Sequence, residues 1–233
     1  VSLAEPGPLS VAIHRVGWYD GAGSTLVHSG PQLPGSTQRP SVGDPDTGLR
    51  RCDWSASWSL AIPSDWTSGL YIAEFATAEA RAFTPFVVRD DQRRADLCVV
   101  LPFATYQAEN LWSDDGAHGR SLTYGSSDGA PRSYSRAVKV SFDRPYAGDG
   151  LPGQIDSDRH AIAWIEEQRY DAVYVADVDV HAGAVDLSRY DGVVFAGTAA
   201  YWSKPMRDAL SDAVAHGTSA VFLSSRNLHW HAR

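Results

Sequence analysis

Cysteine and methionine are scarce in this 233-residue chain, with two of the first and one of the second. Cys52 and Cys98 lack CxxC spacing, which excludes a disulfide framework and a thiolate zinc site. Cys98 sits inside the apolar run Leu97–Leu101, where a buried thiol is expected. An excess of positive charge is missing too. Twenty Lys and Arg stand against 28 Asp and Glu, a formal charge of −8, which argues against a nucleic-acid-binding face. No apolar run approaches the roughly 18 residues of a membrane helix, so no membrane span is expected. Val1 to Pro8 lack the basic-then-apolar layout of a signal peptide, which leaves the location open with the cytoplasm favoured. There is no Gly-x-Ser-x-Gly elbow to anchor a serine triad. Gly21–Ser24 follows a strand but opens no helix, so it is no phosphate loop.

Aromatic residues are plentiful: eight Trp and ten Tyr in a chain 43% hydrophobic overall, enough for a core and for a ligand cleft. Residues 1–90 read as an all-β, Ig-like sandwich domain. Its expected strands include Val11–Tyr19, Trp54–Leu60, Gly69–Phe75 and Ala82–Arg89, with a long surface loop over Pro31–Gly48. Composition changes at Asp90–Arg94, and residues 91–233 read as a mostly parallel α/β domain. Ala95–Leu101, Ala172–Val175, Gly192–Phe195 and Ala220–Leu223 are continuous apolar runs, as expected of strands covered on both faces. A helix is expected over Asp158–Gln168, with Ala161, Trp164 and Ile165 inward. Another is expected over Ser203–His216: Ser203 caps it, Pro205 lies in the first turn, Met206, Leu210, Ala213 and Val214 face inward, and Gly217 ends it.

In open parallel sheets, ligands bind beyond the carboxyl ends of the strands. That places Pro102–Trp112, Ala176–Asp179, Ala196–Trp202 and Ser224–Asn227 at one rim. Alone, Tyr106 and Tyr146 read as packed aromatics with hydrogen-bonded hydroxyls, and Glu109 as either a solvated loop acid or a functional one. Asp177 and Asp179 read as a solvated strand end, and His229 and His231 as surface residues.

Several segments carry a family resemblance: Gly17-Trp18-Tyr19, Ser68–Tyr71, Thr105–Asn110, Lys139–Tyr146, Ala200–Ser203 with Met206-Arg207, and Asn227 with Trp230 and Arg233. Together and in this order, they resemble the large-subunit family of N,N-dimethylformamidase. The resemblance implies a β-sandwich on a glutamine-amidotransferase-like α/β domain, and an amidohydrolase with one iron held by two tyrosines and a glutamate. Tyr146 of Arg144-Pro145-Tyr146 matches one tyrosine ligand. The other falls in Thr105–Asn110, where Tyr106 keeps the aromatic position and Glu109 stands for the family's tyrosine, so either could face the site. The family's Gly-His-Asp-Glu-Tyr-Trp-Ser is here Gly197-Thr198-Ala199-Ala200-Tyr201-Trp202-Ser203, with Ala200 in place of the glutamate ligand.

The reading that follows is an amidohydrolase acting on a small amide or related C–N bond. Tyr106 and Tyr146 are its metal candidates, Glu109 a third ligand or general base, and Asn227 the residue that orients the carbonyl. Asn110, Trp112 and Tyr201 are the substrate-contact candidates. The alternative is a member without metal chemistry that binds a ligand or partner, or runs a different biosynthetic reaction in the same cleft. Either way the expected partners are a small-molecule substrate and a second copy or partner subunit. Tyr106 or Glu109, Tyr146, Ala200 and Asn227 are expected to converge on one cleft.

Overall fold

In the computed structural model, which describes residues 1–126, 131–132 and 135–233, the four apolar runs form one parallel sheet. Its strands are β6 (Leu97–Leu101), β7 (Ala172–Ala176), β8 (Gly192–Phe195) and β9 (Ser219–Phe222), in the order β7-β6-β8-β9; the last lies at the edge and is exposed rather than covered on both faces. Leu97 pairs with both Ala172 and Gly192, so β7, β6 and β8 start in register. Successive side chains alternate between faces. Cys98, Val100, Val173, Val175, Val193 and Phe195 join one cluster with Met206, Leu210 and Ala213 of α4 (Lys204–Ala215). Val99, Leu101, Tyr174 and Val194 join another with Ile155, Ile162 and Ile165 of α2 (Ile155–Glu167).

The second cluster also takes in Val16, Leu70 and Ile72 of an antiparallel sheet, so the two halves of the chain share a core. That sheet runs β2-β1-β4-β5, with β3 also paired to β1: β1 is Gly7–Val16, β2 Ser24–Ser29, β3 Leu33–Gly35, β4 Gly69–Ala76 and β5 Arg81–Val88. Its other face, with Ile13, Tyr71, Ala73 and Val88, is covered by Trp58, Leu60 and Trp66. The expected strand over Trp54–Leu60 is irregular chain instead. The run supplies bulk without a ladder through Trp58 and Leu60, and Trp66 beyond it stacks on Tyr71 with ring centroids 4.9 Å apart. The Pro31–Gly48 loop carries β3 and half of a two-residue ladder, Val42–Gly43 with Arg50–Arg51. No strand forms over 138–142.

The capping chemistry of α4 is as expected: Ser203 Oγ accepts from the Met206 amide at 3.4 Å, and Gly217 takes φ +104° just past the end. Two inner stripes differ. Val214 is 48% exposed, because the cluster it would join closes at Ala213. α2 starts at Ile155 rather than Asp158, so its buried set is Ile155, Asp158, Ile162 and Ile165, and Trp164 is half exposed. Asp177 and Asp179 open a short helix, α3 (Asp177–His181), and Asp177 is buried rather than solvated. Among the described residues no helix is long and apolar enough to cross a membrane.

Candidate functional site

The chain runs from β6 to β7 on one side of β6 and then to β8 on the other, so the strand order reverses between β6 and β8. At such a switch point the loops leaving the two strands diverge and open a crevice. The loop after β6 enters α1 (Phe103–Ala108). Buried polar contacts fasten it to its neighbours. Thr105 Oγ1 accepts from the Ala200 amide at 2.9 Å and the Tyr201 amide at 3.2 Å. Asp177, at the end of β7, accepts from the Ala104 amide at 3.0 Å.

The firmest of these contacts is centred on Asp158, which is fully buried. Tyr106 donates its hydroxyl to Asp158 Oδ2 at 2.5 Å, and the Gly197 amide donates to Oδ1 at 2.9 Å. A Cβ on Gly197 would come within 2.4 Å of that carboxylate, so glycine is required by the close approach. Burial raises the Asp158 carboxyl to about 6, against the opposing effect of its two hydrogen bonds. Burial likewise raises Asp177 to about 8. Tyr106 is held well above the usual phenol range, first by burial and then by the Asp158 charge.

A cavity of about 470 Å³ opens beside this point, lined by Tyr106, Glu109, Asn110, Tyr146, Leu151 and Gln154 among others. The Tyr106 and Tyr146 rings meet edge to face, with centroids 6.4 Å apart. Asn110 holds the Tyr146 segment in place. Its Nδ2 donates to Pro145 O at 2.8 Å and Gln107 Oε1 at 3.0 Å, and its Oδ1 accepts from Ala147 and Trp112 amides at 3.0 Å. Both amide hydrogens and both lone pairs are thereby used. The buried Arg144 guanidinium donates to Gln107 O and Asn110 O at 3.1 Å, clamping the same loops. Burial raises the Tyr146 hydroxyl above its ordinary value; Gln107 and Arg144 act the other way. Burial also raises Glu109, opposed by Arg226 at 3.8 Å.

Of the sequence-predicted residues, Tyr106, Glu109, Asn110 and Tyr146 meet on this cavity, whereas Trp112, Tyr201, Ala200 and Asn227 do not line it. Trp112 packs edge-on against Trp54, and Tyr201 stacks on Trp230 and bonds Thr123 Oγ1 at 2.9 Å. Asn227 braces the loop after β8: Oδ1 accepts from the Ala199 amide at 2.9 Å and Nδ2 donates to Ser224 O at 2.6 Å. Ala200 is buried in a small apolar cluster with Ala108 and Tyr201.

These positions do not fit an iron held by two tyrosines and a glutamate. An alanine methyl offers no donor, and the Tyr106 hydroxyl is committed to Asp158. Among the described residues no group of three His, Cys, Asp or Glu side chains is placed to hold a metal ion. Sequence reasoning passed over Asp158 and Gln154. The available signal for Asp158 was an acid on the apolar stripe of α2; nothing local marked Gln154.

A family model described as N,N-dimethylformamidase beta subunit-like, C-terminal, matches residues 10–233. No curated protein matches the chain.

Proposed function

Because the chain belongs to the N,N-dimethylformamidase beta subunit-like family, we propose that it hydrolyses a small amide or related C–N bond in the cavity between the loop after β6 and the 146–154 segment that leads into α2. The observation that carries this reading is the meeting of Glu109 and Tyr146 on one cavity wall beside the loop after β6. Glu109 is the general base. It takes a proton from water as the water oxygen adds to the carbonyl carbon, and Tyr146 donates its O–H to the carbonyl oxygen. As the C–N bond breaks, the proton passes from Glu109 to the leaving nitrogen, giving a carboxylic acid and an amine. The raised affinity of Glu109 for a proton suits that exchange. No step is routed through a metal, since the donor set does not fit one.

In this reading residues 91–233 form the glutamine-amidotransferase-like unit that carries the cleft, and residues 1–90 form the β unit that backs it. Asn227 and Tyr201 act by bracing the rim. The family's description as a subunit supports assembly with a partner subunit or second copy, which light scattering of the purified protein would detect.

The test is amine release from a panel of N-alkyl formamides, acetamides and benzamides. Glu109→Gln should lose about a hundredfold or more of the rate, and Tyr146→Phe a comparable amount. A full rate in Glu109→Gln, or no amine from any member of the panel, would refute the proposal. A second reading, ligand binding without turnover, is favoured by the packing of Ala200 among apolar side chains. It expects Glu109→Gln to leave binding nearly unchanged.

A further inference from the structure

The hydrogen-bonding groups on the cavity wall are unbalanced. Tyr106 has its hydroxyl engaged with Asp158, and Asn110 is saturated. Gln154, the residue before α2, donates its Nε2 to Glu109 Oε2. That orientation follows from chemistry, because a carbonyl oxygen would not face a carboxylate. It leaves Gln154 Oε1 as a buried acceptor with no partner among the described residues. The other free acceptor is Glu109 Oε1, whose nearest cation, Arg226, stands off at 3.8 Å. On the same wall the Tyr146 O–H is placed to donate to a ligand.

We infer that Gln154 is a specificity-determining residue and that the cavity selects amides carrying an N–H, with the ligand N–H donating to Gln154 Oε1 while its carbonyl accepts from Tyr146. This rests on the hydrolytic reading for its choice of ligand class, and deepens it. The amide after which the family is named has two N-methyl groups and no N–H, so it would leave the Gln154 oxygen unpaired. The terminal torsion of glutamine is broad, so rotation about it turns Oε1 from its buried position toward a ligand. A site built to bond an N–H discriminates strongly against a ligand lacking one, because the buried acceptor then stays unsatisfied. Leu151 and Leu111 flank the same space and leave room for an apolar acyl group.

The test measures dissociation constants by NMR titration of the intact protein with N-methylbenzamide, N,N-dimethylbenzamide and methyl benzoate. The ester keeps the size of the first ligand and removes only its N–H. We expect N-methylbenzamide to bind about tenfold more tightly than either of the others, and Gln154→Leu to abolish that margin while leaving ester affinity unchanged. Equal affinities in the unmodified protein, a preference that survives Gln154→Leu, or no binding of N-methylbenzamide would overturn the inference. The unmodified protein alone decides the matter should the variant not fold. N–H preference without amine release would sink the hydrolytic reading and leave this one standing; amine release without N–H preference would do the reverse.

Discussion

Asp158→Asn isolates what the buried carboxylate does to stability. The amide can accept from the Gly197 N–H and donate to the Tyr106 oxygen, so the link between the loops is kept while the charge is removed. An ordinary Asp titrates near 3.9 in an unfolded chain, and burial raises Asp158 to about 6 in the fold. Between these values the folded state binds more protons than the unfolded one, so stability falls as pH rises through the window. Two units at 1.36 kcal/mol each give about 3 kcal/mol. This is lost between about pH 4 and pH 6 and is constant above pH 7. Other titrating groups are common to both proteins and largely cancel in the difference. Urea unfolding of both proteins at pH 4, 5, 6 and 7 should therefore show the unmodified chain losing about 3 kcal/mol relative to the variant. A difference independent of pH, or one that moves in favour of the carboxylate as pH rises, would refute the account of Asp158 as a desolvated acid.

Gly197→Ala should cost about 1–3 kcal/mol by overpacking, and much less in an Asp158→Ala background, where the clashing carboxylate is gone; a thermal double-mutant cycle measures this. Asn110→Ala should cost about 2–3 kcal/mol by leaving buried partners unpaired, and should loosen Tyr146, visible as faster amide exchange at Ala147. Ala200→Glu should cost about 3–5 kcal/mol, since it buries a charge among Ala108 and Tyr201, and elemental analysis should find no iron gained. On α2, Ile162→Ala should cost about 2–5 kcal/mol and Trp164→Ala less than about 1 kcal/mol; equal effects in urea unfolding would mean the exposed face is misassigned.

The strands of the parallel sheet and the bounds of α4 were legible in the sequence because local chemistry determines them. Four apolar runs mark the strands, although the edge strand Ser219–Phe222 stays exposed, and Ser203 and Gly217 act within a turn of the helix they bound. The rule for parallel sheets pointed to the loop after β6, and Tyr106 and Glu109 of that loop line one cavity with Tyr146, whereas Ala200 of the loop after β8 and Asn227, both expected there, do not. Tertiary structure decided the rest. Periodicity says that a helix has an inner stripe, but which residues it contains depends on partners far away in the chain. The stripe of α2 faces β6, β7 and the antiparallel sheet through Ile155, Ile162 and Ile165, which turns Trp164 outward and drives Asp158 to the interior. The burial of that acid is tolerable only because Tyr106 and Gly197, 52 and 39 residues away, bring it a hydroxyl and an amide. Asn227 and Gln154 differ for the same reason: two amides on rim loops look alike in sequence, but one spends its oxygen on the Ala199 backbone and the other keeps its oxygen unpaired.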